Sequence, residues 1–286
     1  IVMYEDIADQ IERMLAGERH VLTPDRTSWF AKSSGTTNAK SKYIPVNRTH
    51  LNRCHYKGGL DSVFAFLNNH PESDFFGHKG FVLAGTYDKN EQHITTGDLS
   101  AVLLLNMPAI GRMARVPQID IALHGDWEEK LQMITDDIAH RDIGNISGVP
   151  SWMLIILKEL LRKSGASTIK DLWPNLEDFF HGGIAFDPYR EEYAKVLGDG
   201  VFYQETYNAS EGFFGIQTDP EDKALLLMLD YGVYYEFIPM SHFDESDLAS
   251  NEAIPLYQVE TDVNYALVIS TLGGLYRYVI GDTIKF

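Results

Sequence analysis

The chain has 286 residues, 44% hydrophobic and 23% charged, and its 24 basic against 41 acidic side chains give a formal charge of −17. This composition excludes disorder as the main state, and the acid excess argues against a reader of nucleic-acid backbones or of anionic membrane surfaces, which need a basic face. One cysteine, Cys54, excludes an intrachain disulfide and fits a reducing cytoplasm.

In chain order, residues 1–19 carry Ile7, Ile11, Met14 and Leu15 at helical spacing ahead of Gly17, which predicts an amphipathic helix. Residues 29–37 turn abruptly to small polar side chains. A second helix is expected over 49–67. Short strands are expected at 80–86, 93–95 and 101–106. Residues 126–141 and 151–163 predict helices, the second opened by Pro150. Strand 177–180 leads into His181, Gly182 and Gly183. A helix over 187–197 and a strand over 200–206 follow. Further strands are expected at 213–218, 224–229, 233–239, 254–260, 265–271 and 275–280, all rich in aromatic and β-branched residues. Alternating elements followed by a strand-rich last third indicate a mixed α/β fold. Apolar runs such as 152–157 are far short of the ~20 residues a spanning helix needs. Glu5, Asp6 and Asp9 stand where a signal peptide carries basic residues.

Three segments can carry chemistry. The first is Ser33, Ser34, Gly35, Thr36 and Thr37, followed by Lys40 and Lys42. Its hydroxyls and close-wrapping backbone can cradle phosphate oxygens, although the Walker spacing is absent. By itself such a loop is more often a polar turn. The second runs from Gln204 to Gly212. Tyr207 can stack on a base, Ser210 can bond a phosphate, and Glu211 can hold Mg²⁺, which favours a carboxylate plus substrate phosphates. By itself it is a strand-to-turn junction. The third ends Tyr276, Arg277, Tyr278, Val279, Ile280, Gly281, Asp282, where an acid at a strand end can accept both hydroxyls of a ribose. By itself Gly-Asp is a turn pair. His50 and His55, five apart, do not share an α-helical face, so neither a zinc site nor a Ser-His-Asp triad assembles from spacing. Cys54 is expected to be a buried small residue.

Taken in order, these segments resemble the core motifs of adenylate-forming enzymes. The wording is similar to one branch, the auxin-responsive acyl-acid amido synthetase family in its bacterial form. The resemblance runs from about Phe30 to Phe286. It rests on Ser33 to Thr37 with Lys42-Tyr43-Ile44-Pro45, Gly182-Gly183, Tyr207 to Ile216, Tyr235-Glu236-Phe237-Ile238-Pro239 and Leu275-Tyr276-Arg277-Tyr278. It departs at Asn38-Ala39, where related loops carry glycine, and is weakest before Phe30 and across 90–126.

The resemblance implies an α/β fold, the large N-terminal domain of an adenylate-forming (acyl-CoA synthetase-like) enzyme. Mixed β-sheets flanked by helices would carry a strand-rich, β-barrel-like subdomain. It implies a ligase that activates a carboxylic acid with ATP and Mg²⁺ and conjugates it to an amine, an amino acid foremost. Ser33, Ser34, Gly35, Thr36 and Thr37 with Lys42 would grip the β- and γ-phosphates. Gly182 and Gly183 would line the adenine and acyl pocket. Tyr207 would pack on adenine, Ser210 would touch the α-phosphate and Glu211 would bind Mg²⁺. Asp282 would hold the ribose, with Tyr276 and Arg277 nearby. Val149, Trp152 and Ile184 would border the acyl group, although Trp152 fits a core position at a helix start equally well. A thiol acceptor such as coenzyme A, or a non-catalytic nucleotide-binding module, are the competing readings. The chain starts at Ile1 and stops four residues beyond Asp282. It is therefore expected to be one large domain, 1–286, cut at both ends. A small lid domain would lie outside it, and without that domain turnover would be low.

Overall fold

The computed structural model describes residues 1–33 and 41–286, which form three sheets with helices packed between and around them. The central sheet has seven strands in the spatial order Leu226–Leu227, Gly212–Ile216, Phe202–Ala209, Asp178–Gly182, Ile143–Gly148, Lys79–Val82 and Arg115–Val116. The last five of these run parallel, and the first two are added antiparallel. Parallel neighbours require crossovers. Helix Pro150–Ser164 supplies one, and Asp187–Tyr189 with Arg190–Leu197 supplies the next. Proline in the first turn starts the longer helix, and Gly165 at φ 73° ends it in the left-handed region. Both helices bury Met153, Ile156, Leu157, Leu160, Tyr193 and Leu197 against Ile146 and Phe179 of the sheet. This is the first core.

An N-terminal sheet pairs Lys42–Asn47, Thr27–Ser33, Thr95–Gly97 and Tyr87–Lys89 in that order. A C-terminal antiparallel sheet pairs Ile254–Pro255, Val233–Pro239, Asn264–Thr271 and Tyr278–Lys285. A second core joins all three sheets. It collects Ala31, Ile44 and Val46, then Phe213, Phe214 and Ile216, then Tyr235, Phe237, Leu267 and Tyr278. This shared core fixes the hairpin of the central sheet against the last strand of the chain. Helix Tyr4–Leu15 buries Ile11 and Met14 as the periodicity predicts, and Gly17 follows at φ 94°.

Four expectations are corrected. Residues 101–106 are not a strand but lie in helix Leu99–Asn106, which buries Ala101, Val102 and Leu104. A short continuous apolar run does not discriminate helix from strand, and Ala and Leu favour helix. Of 254–260 only Ile254–Pro255 pairs, and a 3-10 turn, Leu256–Gln258, follows. Pro255 has no N–H for a ladder. Of 224–229 only Leu226–Leu227 pairs. The last strand runs Tyr278–Lys285, not 275–280, because Arg277 turns the chain at φ 48°. Strands Thr27–Ser33 and Lys42–Asn47 carry no alternation that marked them in the sequence. Among the described residues no helix is long and apolar enough to cross a membrane.

Candidate active site

In open parallel sheets ligands lie beyond the carboxyl ends of the strands. Here four of the five ends, Val82, Gly148, Gly182 and the hairpin tip after Ala209, border one cleft of about 1920 Å³. That exceeds the roughly 300–1,000 Å³ of a site for one drug-sized ligand.

The phosphate-loop segment begins where the N-terminal sheet ends. Ser33 pairs opposite Lys42, and Lys32, Ser33, Ser41 and Lys42 line the cleft. Ser34, Gly35, Thr36 and Thr37, with Asn38, Ala39 and Lys40, lie outside the described residues.

The Tyr207–Glu211 segment is a hairpin. Its first strand continues past Thr206 to Ala209, Ala209 pairs with Gly212, and Ser210 and Glu211 form the turn between them. Tyr207, Asn208, Ser210 and Glu211 line the cleft. Glu211 is nonetheless only 6% exposed. Burial pushes its carboxyl up to about 7, the Asp282 carboxylate adds to the rise, and its own backbone N–H and Lys42 offset part of it.

Asp282 does not close a strand, as expected, but sits inside one. Val268 pairs with Val279 and Ala266 with Thr283, so Leu267 opposes Ile280, Gly281 and Asp282 together. This bulge, with Gly281 at φ 98°, brings Asp282 into the cleft lining. There the Tyr207 hydroxyl donates to Asp282 Oδ2 at 2.5 Å. Burial, and then this carboxylate, hold the Tyr207 hydroxyl far above its ordinary pKa.

Gly182 and Gly183 are both in the cleft lining. A Cβ on Gly182 would fall 2.3 Å from the Thr206 carbonyl oxygen, so close strand packing already demands a glycine there. Val149, Trp152 and Ile184 line the cleft too. Trp152 is half exposed and meets Trp127 edge to face at 4.9 Å, which removes the core reading. Tyr276 and Arg277 are not brought to the cleft. Tyr276 is exposed, and Arg277 makes a bidentate pair with Glu236 at 2.9 Å on each arm.

Three further residues support the hairpin tip. The helix expected over 49–67 has a π-helical stretch, Leu51–His55, in its first turns. Its i→i+5 period puts His50 and His55 on one side, with ring centroids 4.9 Å apart, where an α-helix would separate them. His50 Nε2 lies 3.0 Å from the Glu211 carbonyl oxygen, so Nε2 carries the proton and donates. Burial pulls His50 down to about 4, and His55 well below its ordinary value. Cys54, fully buried as expected, accepts the Phe213 N–H at Sγ, 3.1 Å away. Burial raises its thiol to about 11, so it is no nucleophile. No short motif encodes this support. Among the described residues no cluster of three or more His, Cys, Asp or Glu is placed to hold a metal ion.

Residues 1–201 match the GH3 family N-terminal domain and residues 226–286 the GH3 family central domain. A 4-substituted benzoates-glutamate ligase, GH3.12 of Arabidopsis thaliana, is 25% identical over 349 residues, covering 99% of this chain and 59% of its own. The solved structure of GH3.15 acyl acid amido synthetase superposes with a TM-score of 0.75 at 20% identity, over 100% of this chain and 58% of that one. A 2-hydroxyisobutyryl-CoA ligase superposes with a TM-score of 0.56 at 13% identity, over 99% and 58%. The fold is thus that of adenylate-forming enzymes, and the chain spans about 58% of the length of such relatives.

Proposed function

The chain belongs to the GH3 family, and on that premise we propose that it activates a carboxylic acid with MgATP and passes the acyl group to an amine, an amino acid foremost. The observation that carries this reading is the Tyr207–Asp282 hydrogen bond at the mouth of a cleft that also holds Glu211 and Lys42. It joins two motif segments 75 residues apart at one place.

In the first step a carboxylate oxygen attacks the α-phosphorus of ATP, and the bond to pyrophosphate breaks. In the second the amine attacks the acyl-adenylate carbonyl, loses a proton and expels AMP. The chain's part is positioning and charge neutralisation. Ser33, Ser34, Gly35, Thr36, Thr37 and Lys42 hold the β- and γ-phosphates. Ser210 bonds the α-phosphate, and Tyr207 covers adenine beside Gly182 and Gly183. Asp282 takes the ribose hydroxyls. Tyr276 and Arg277 act only at a distance, by shaping the entry to the strand of Asp282. Val149, Trp152 and Ile184 form the apolar wall for the acid. Glu211 fits a Mg²⁺ ligand: its buried carboxylate has no basic side chain in ion-pair contact among the described residues, and a cation would satisfy it. Bound Mg²⁺ would supply charge neutralisation for the departing pyrophosphate. The amine acceptor is favoured over a thiol because the relative quoted above is a glutamate ligase. The single buried cysteine suits a cytoplasmic setting, and the motif wording suits a bacterial source.

The test is pyrophosphate exchange into ATP by the full-length protein, with aryl, indole and aliphatic acids. Product masses after adding an amino-acid mixture or coenzyme A then identify the acceptor. Neither exchange nor MgATP binding with any acid would sink the reading.

A further inference from the structure

Arg115 lies on the edge strand of the central sheet and lines the cleft. A guanidinium carries five N–H donors. Among the described residues this one makes a single hydrogen bond, Nη1 to Asn145 Oδ1 at 2.6 Å. Burial lowers its pKa with no acidic neighbour acting against the shift, in a chain with 41 acidic side chains. It stays charged nonetheless. Lys130, a buried lysine beside the cleft, is different from the half-buried Arg115: its Nζ donates to the carbonyls of Ala84 at 2.6 Å and Gly85 at 3.1 Å, with Asp98 nearby.

The niche around Arg115 is built for it. A Cβ on Gly80 would fall 1.8 Å from Nη1 and 2.6 Å from Asn145 Oδ1, so only glycine leaves room. Its depth follows from register. Gly80 pairs with Asn145, and Asn145 with Asp178, whereas Gly148 pairs with His181 at the rim. At a rise of about 3.3 Å per residue, Asn145 lies about 10 Å below the Gly148–His181 level, where its own strand ends. Phe180, level with Ser147, lines the same floor between those depths.

We propose that Arg115 is a subsite for a second carboxylate at the far end of the acyl substrate, which makes the preferred acid a dicarboxylate with an apolar spacer. The inference rests on the adenylation reading above. The reacting carboxylate stays at the rim above Gly148 and His181. The spacer lies along Phe180, and the distal carboxylate replaces the missing anionic partner of Arg115. A fork of N–H donors suits bidentate capture of a carboxylate.

The test is calorimetric titration of the full-length protein with MgATP, using matched pairs of acids. These are terephthalate against 4-methylbenzoate, adipate against hexanoate and suberate against octanoate. The expected result is at least a tenfold preference for the dicarboxylate in one pair or more. Arg115→Met should abolish or invert that preference, and Arg115→Lys should keep its sign. Gly80→Ala, which leaves the charge but displaces the guanidinium, should weaken dicarboxylate binding alone. No preference in any pair for the native protein, or one unchanged in Arg115→Met, overturns the assignment. MgATP affinity in the same samples separates the two readings: with nucleotide binding intact, a missing preference removes only the Arg115 subsite. Absent nucleotide binding removes both.

Discussion

The Tyr207 hydroxyl donates to Asp282 Oδ2 at 2.5 Å, tying the hairpin of the central sheet to the bulged strand of the C-terminal sheet. A ribose seated on Asp282 offers its own hydroxyls to the same carboxylate, so Tyr207 and nucleotide compete for it. Hydrogen bonds to a charged group contribute about 1.5–3 kcal/mol. Asp282→Ala should therefore weaken MgATP binding at least tenfold by calorimetry. Tyr207→Phe removes the competitor, and its loss should be under threefold or become a gain. Unchanged affinity in Asp282→Ala would end the ribose assignment.

Glu211 gives a pH signature. Its carboxyl is raised by burial to about 7 in the folded chain, against 4.5 for a free side chain. The folded state thus binds more protons than the unfolded state between those values, and stability falls as pH rises across that window. Glu211→Gln cannot ionise. At pH 8 the ligand-free variant should be more stable than the native chain by up to about 3 kcal/mol, read as a higher thermal midpoint, and the difference should shrink towards pH 5. Mg²⁺ affinity should rise from pH 6 to 8 in the native protein and be flat in the variant. A lower midpoint for Glu211→Gln at pH 8 would count against the buried, raised carboxyl.

His50 acts on the same turn from below. It is held neutral by burial, down to about 4, and donates to the Glu211 carbonyl. Here the sign is opposite. The unfolded state binds more protons between about 4 and 6.5, so this contribution is complete above 6.5 and is lost as pH falls towards 4. His55, pulled lower still, adds in the same direction. His50→Leu leaves a buried carbonyl unpaired, at about 1–3 kcal/mol. It should also cut kcat for pyrophosphate exchange more than tenfold while changing KM for the acid little. His50→Gln, whose amide can donate, should recover much of kcat. Equal loss of kcat in both variants would mean that His50 acts only through packing.

The parts of the site that were legible in the sequence are those written contiguously. Tyr207, Ser210 and Glu211 lie within five residues, so one turn keeps them together whatever the fold does. Val149 and Trp152 flank Pro150, whose place at the start of a helix was legible, whereas the strand Ile143–Gly148 that brings them to the cleft was not. What escaped depends on register and on unusual backbone. The proximity of His50 to His55 needs a π-turn, which no spacing rule for α-helices anticipates. The Arg115–Asn145 contact needs two strands 30 residues apart to flank a third, that of Gly80, whose missing side chain lets Arg115 reach across. Tyr276 and Arg277, contiguous with the Gly-Asp pair, face elsewhere because Arg277 adopts a positive φ and pairs with Glu236.

Gly281 tests whether the bulge, and not merely its aspartate, makes the ribose site. Its φ is 98°, and a Cβ there would meet nothing within 4 Å. Gly281→Ala therefore carries no clash, and its whole cost is backbone strain of about 1–2 kcal/mol. The chain can relieve that strain only by flattening the bulge opposite Leu267, which swings Asp282 away from Tyr207. Gly281→Ala should lower the thermal midpoint and weaken MgATP binding towards the level of Asp282→Ala, although the carboxylate is retained. Gly59→Ala is the control: a Cβ there also meets nothing, but the residue is helical with an ordinary φ. It should gain about 0.5–1 kcal/mol from helix propensity. Full nucleotide affinity in Gly281→Ala, despite a lowered midpoint, would show that Asp282 reaches the ribose without the bulge.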